Sequence, residues 1–90
     1  MNRRRSNIQI MRDMLKIGEN GAGKTKLMYS ANMSYTQIQK YLAFLVSHGL
    51  IDKVEVGNPS VTYHVTGKGL GLLKSIDTVL EVLDMEDTGL

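Results

Sequence analysis

Lys24-Thr25-Lys26-Leu27-Met28-Tyr29-Ser30-Ala31-Asn32-Met33-Ser34-Tyr35-Thr36-Gln37-Ile38-Gln39-Lys40-Tyr41-Leu42 is the stretch on which the reading of this chain turns. Leu27, Met28 and Ala31 fall to one side of a short helix over 24–31. Asn32 comes next, a residue that tolerates the left-handed backbone conformation a helix end often requires. Ser34 and Gln37 then have the spacing of a capping box, in which each side chain satisfies a free backbone N–H of the other residue. A second, longer helix over 34–48 therefore starts within a few residues of the first one ending. Its Ile38, Tyr41, Leu42, Leu45 and Val46 share one face, and Thr36, Gln37, Lys40, Ala43, Phe44 and Ser47 share the other.

Working outward, residues 6–18 form a first helix. Ser6 or Asn7 caps it, Ile8, Met11, Met14 and Leu15 recur at helical spacing, and Gly18 ends it. Three glycines, Gly18, Gly21 and Gly23, make the next segment a flexible connection. Past Gly49, residues 51–65 read as a hairpin: an imperfect alternation from Ile51 to Val56, a Gly57-Asn58-Pro59-Ser60 turn, and a clean alternation from Val61 to Val65. Thr66 caps a last helix over 67–86, where Leu73, Ile76, Leu80 and Leu83 repeat with heptad-like spacing. The order of elements predicts an α+β, mostly helical fold over 1–90. It is a winged helix-turn-helix of three helices and a two-stranded wing, with an extra C-terminal helix.

Ninety residues, 42% hydrophobic and 22% charged, make one small globular domain. With no cysteine there is no disulfide framework and no thiolate metal site. The start is basic but lacks the apolar core of a signal peptide, because Arg12, Asp13 and Lys16 interrupt the adjoining segment. No window has the length of a membrane span, so the expected location is cytoplasmic and nucleoid-associated. The net charge of +2 conceals an asymmetry. All 11 Lys and Arg lie within residues 1–75, where only Asp13, Glu19, Asp52 and Glu55 oppose them. Residues 76–90 carry five acids and no base, so the body favours a polyanion that the tail would repel.

Gly18-Glu19-Asn20-Gly21-Ala22-Gly23-Lys24-Thr25 matches the phosphate-loop pattern G-x-x-x-x-G-K-[ST] letter for letter. That loop needs a buried strand before it and a helix after it, so that backbone N–H groups cradle phosphate. Here a charged helical pattern precedes it and no strand ending in Asp is present to hold magnesium. No nucleotide, cofactor or metal is expected. His48 reads as a last-turn residue favoured by the helix dipole and His64 as a strand surface residue. No serine has the context of an activated nucleophile, so no enzymatic activity is expected.

The polar start of the helix over 34–48 points to double-stranded DNA in a major groove. Ser34, Thr36, Gln37 and Lys40 are the expected base readers, Gln37 by a bidentate pair with adenine and Lys40 by reaching guanine. Lys24, Lys26, Lys53 and the Arg3-Arg4-Arg5 arm are the expected phosphate contacts, with Tyr35 serving either packing or phosphate. Phe44 interrupts the polar face and packs under either the wing or the last helix. The last helix has more apolar surface than one side needs, so Leu73, Ile76, Val79, Leu80 and Leu83 are the expected homodimer contacts.

The run from Lys24 to Tyr35, with Tyr41-Leu42 and Gly49-Leu50-Ile51, resembles the small archaeal winged-helix DNA-binding proteins, some of them chromatin-associated. The resemblance extends from about residue 24 to 73. It implies an archaeal source, DNA binding, and dimerisation through an antiparallel coiled coil of the last helix. It also implies a longer, basic final helix in the chromatin members, whereas this one is short and ends in acids. A dimeric transcriptional regulator is therefore the expected function. The alternatives are a protein-interaction module using Phe44 and the C-terminal ridge, and an architectural chromatin protein with little sequence preference.

Overall fold

The computed structural model describes residues 5–57 and 60–83. Helix α1 spans Asn7–Ile17, and a 3-10 turn spans Gly18–Asn20. Next come helices α2 (Lys24–Ser30) and α3 (Tyr35–Ser47), then strands β1 (Ile51–Glu55) and β2 (Val61–Val65), and helix α4 (Gly67–Leu83). The expected helix over 67–86 is thus described as far as Leu83. Residues 84–86 and the turn residues Asn58 and Pro59 lie outside the described residues.

Local chemistry sets each boundary. Ser6 caps α1 through a capping box with Gln9, whose side-chain oxygen accepts from the Ser6 N–H at 2.9 Å. Two helix ends repeat one motif. At the end of α2 the Asn32 N–H donates to Tyr29 O (3.2 Å) and the Met33 N–H to Met28 O (2.9 Å). At the end of α3 the Gly49 N–H donates to Val46 O (3.0 Å) and the Leu50 N–H to Leu45 O (2.9 Å). Both pairs satisfy carbonyls that a helix end leaves without partners. Asn32 has a φ of 54°, the left-handed conformation expected from the sequence.

β1 and β2 form an antiparallel hairpin with Ile51 opposite Val65 and Glu55 opposite Val61. The segment expected as a flexible connection is instead built into this layer. Ala22 pairs with Tyr63 on the other edge of β2, donating its N–H at 3.0 Å and accepting from the Tyr63 N–H at 2.8 Å. Gly21 makes this approach possible. Its φ is 83°, and a Cβ there would overlap the His64 ring. His64, expected on the strand surface, is accordingly half-buried, and its Nε2 lies 2.9 Å from the Thr62 hydroxyl.

Met14, Leu15, Leu27, Ile38, Leu45 and Ile51 are fully buried at the centre. Burial of each such side chain stabilises the fold by about 1.5–3 kcal/mol. Thr66 caps α4 by accepting from the Gly69 N–H (3.0 Å), and its hydroxyl donates to Gly49 O (2.7 Å), tying α4 to the end of α3. Gly69 rests on the backbone of Leu50, where a Cβ would collide with the carbonyl oxygen. That seating directs α4 onto α1, where Arg12 Nε donates to Asp77 Oδ1 at 2.5 Å.

Leu73, Ile76 and Leu80, expected as dimer contacts, are instead buried in the protomer's own core, which corrects that expectation. The heptad-like stripe faces the nearest apolar surface, which is intramolecular and involves no loss of translational freedom. Val79 and Leu83 are 52% and 58% exposed, and Val82, on the same outer side, is 75% exposed.

Candidate nucleic-acid interface

Helix α3 presents the side opposite Ile38, Leu42 and Leu45 to solvent. Thr36, Gln39, Lys40, Ala43 and Ser47 are all exposed. The helix is anchored from behind by its apolar face and at one flank by Tyr41, whose hydroxyl donates to Asn7 Oδ1 at 2.5 Å. No carboxylate stands on it. The hairpin lies alongside: Lys53 of β1 and Tyr63 of β2 line a groove with Gln39, Ala43, Val46 and Ser47 of α3. Lys53 therefore lies beside the exposed side of α3.

The Ser34–Gln37 capping box forms as the spacing predicts. The Ser34 oxygen accepts from the Gln37 N–H at 3.2 Å, and Gln37 Oε1 accepts from the Ser34 N–H at 3.1 Å. A bidentate pair with adenine needs the amide oxygen and nitrogen together. With its oxygen turned to the cap, Gln37 in this conformation does not present both groups outward for such a pair.

Lys24, at the first position of α2, bridges to this face. Its ammonium donates to Gln39 Oε1 and lies 5.4 Å above the centre of the Tyr35 ring. Tyr35 is 60% exposed, on the solvent side rather than in the core. Lys26 is exposed on α2. Thus Lys24, Tyr35, Thr36, Lys40 and Lys53 are gathered around one face. Gln39 was missed by sequence reasoning; its signal was its position one helical turn after Tyr35.

The arginine arm divides. Arg3 and Arg4 lie outside the described residues. Arg5 belongs to the fold: its guanidinium bonds Asp13 Oδ2 at 2.6 Å and donates to Ala31 O at 2.5 Å and Asn32 O at 3.2 Å. It fastens the chain start to the turn between α2 and α3, where carbonyls at a helix end attract a cation. Its expected role as a phosphate contact is corrected. Phe44 is 45% exposed, and its ring lies 4.2 Å from that of His48. His48 caps α3, and its Nδ1 lies 2.9 Å from Phe44 O.

The phosphate-loop pattern takes up a different geometry from a nucleotide cradle. The Gly18 N–H donates to carbonyls of α1, that of Gly21 to Gly18 O, and that of Ala22 to Tyr63 O. These three amides of the pattern are thereby committed to the protein's own carbonyls. Among the described residues no group of three or more His, Asp or Glu side chains could hold a metal ion. None of the described helices is long and apolar enough to cross a membrane.

Comparison with solved structures extends these observations. The fold superimposes on Sso10a-2, a DNA-binding protein from Sulfolobus solfataricus, with a TM-score of 0.81 and 30% identity, over 89% of this chain and 83% of that one. A MarR family transcriptional regulator from Silicibacter pomeroyi shares the fold with a TM-score of 0.62 and 17% identity, over 92% of this chain and 66% of that one. A protein of Methanocaldococcus jannaschii is 31% identical over 82 residues, 90% of this chain and 79% of that protein. The archaeal likeness read from Lys24 to Tyr35 agrees with the first and third of these. A family model described as winged helix-turn-helix matches residues 4–84, nearly all of the chain, and its helix pair and wing are the elements found here: the chain belongs to the winged helix-turn-helix family.

Proposed function

We propose that this chain is a non-catalytic, dimeric DNA-binding protein of the nucleoid that regulates transcription by placing α3 in a major groove. One observation carries the reading. The exposed face of α3 is free of carboxylates, carries Lys40, and is bordered along its Gln39 flank by Lys24 from α2 and Lys53 from the wing. Such an arrangement holds phosphates at the edges and brings polar side chains to base edges in the middle. The similarity to Sso10a-2, described as a DNA-binding protein, supports it. The outward apolar residues Val79, Val82 and Leu83 support a two-fold dimer through α4, which would present two α3 helices to successive grooves.

Fluorescence titration with a labelled duplex at about 50 and about 200 mM salt tests the reading. Micromolar or tighter binding at the lower salt, falling steeply at the higher, is expected because phosphate contacts release counterions. No binding at the lower salt rejects it.

A further inference from the structure

We infer that the recognition face is a donor-rich reader that selects guanine edges. The inference rests on the DNA-binding reading above and specifies the base class taken by that site. Both glutamines at the start of α3 have their amide orientation fixed by a partner that can only donate. Gln37 Oε1 faces the Ser34 backbone N–H, and Gln39 Oε1 faces the Lys24 ammonium. Neither partner has a lone pair for an amide NH2, so the oxygens stay inward and the NH2 groups point away. The Tyr35 ring beneath the ammonium holds Lys24 over this flank of the helix. Ser34 accepts from Gln37 and keeps its O–H as a donor. Lys40 adds a further donor with no acceptor capacity, while the Ser34, Tyr35, Thr36 and Ser47 hydroxyls can accept as well as donate.

Base edges differ in what they offer such a surface. Guanine presents two adjacent acceptors, O6 and N7, in the major groove. Adenine pairs an acceptor with a donor, and the N4 group of cytosine is a donor. A row of donors therefore finds two acceptors side by side only on guanine; adenine sets a donor beside N7, thymine offers O4 beside a methyl group, and cytosine presents a donor. Lys24 acts here as a positioning residue. It occupies the lysine position of the phosphate-loop pattern, and its role is to orient Gln39.

Selection of bound duplexes from a randomised pool tests this with wild type, Gln37→Glu and Lys24→Ala. Glutamate at this position retains the capping box, since its carboxylate accepts the same N–H, and a thermal melt checks that the fold persists. Its outward group becomes an acceptor. Guanine enrichment is expected for wild type, with about tenfold weaker binding when guanine is replaced by 7-deazaguanine, which lacks N7. In the Gln37→Glu pool guanine is expected to give way to cytosine at one or more positions. In the Lys24→Ala pool adenine becomes tolerated where Gln39 is released. Binding with no base preference, adenine enrichment for wild type, or a Gln37→Glu pool identical to that of wild type overturns the inference alone. Absence of binding to any duplex at low salt overturns the DNA-binding reading and this inference with it.

Discussion

Ala22 and Tyr63 exchange both backbone hydrogen bonds, at 3.0 and 2.8 Å, so that the glycine-rich segment forms a third strand-like edge of the wing. The same contact removes the Ala22 amide from any phosphate cradle. Millimolar ATP with magnesium is therefore expected to leave the melting temperature unchanged. A ligand that binds only the folded state raises stability with the logarithm of its concentration over Kd, so a reproducible rise of several degrees would contradict this geometry.

Gly21→Ala tests the same edge from the side of folding. The substitution places a Cβ at a φ of 83° and against the His64 ring. A loss of about 1–3 kcal/mol is expected from left-handed strain and displacement of the ring. Urea unfolding measures it. Unchanged stability would mean that the segment does not pack on β2.

Arg5→Ala separates a structural arginine from a DNA-contacting one. Arg5 satisfies carbonyls at the α2–α3 turn and pairs with Asp13, each side chain about a quarter to a third exposed. Solvent screening keeps the cost modest, about 1 kcal/mol. The slope of log affinity against log salt is expected to stay as in wild type. A slope smaller by about 0.9, the loss of one phosphate contact, would return Arg5 to the interface.

The sequence carried the order of elements and most of their boundaries because these depend on near neighbours. Ser34 and Gln37 are three residues apart, and Asn32 and Gly49 end helices by their own backbone preferences. Contacts between distant segments were harder to read. The pairing of Ala22 with Tyr63 leaves no periodicity in the chain, and the salt bridge from Arg5 to Asp13 looks in sequence like a free basic arm beside a helix. The heptad-like spacing of Leu73, Ile76 and Leu80 established that α4 has a buried stripe. Spacing alone does not say whether the stripe meets its own core or a partner. The Ser34–Gln37 cap was legible, but it also engages the oxygen that an adenine contact would need.

Substitutions on α4 distinguish those two faces. Leu80→Ala removes a buried side chain and is expected to cost about 2–5 kcal/mol. Val79→Glu and Val82→Glu alter exposed positions and are expected to leave the protomer folded while shifting sedimentation from dimer to monomer. A wild-type protein that sediments as a monomer at high micromolar concentration would contradict the proposed dimer.

The most direct measurement is the affinity of Thr36→Ala/Lys40→Ala for duplex DNA at low and moderate salt, beside wild type. Both residues are exposed on α3, so the fold is expected to persist, as circular dichroism would check. The expected result is weaker binding by about tenfold or more at low salt, with relaxed base preference. Wild-type affinity and wild-type preference in this variant would place the contact on another surface and contradict the central claim.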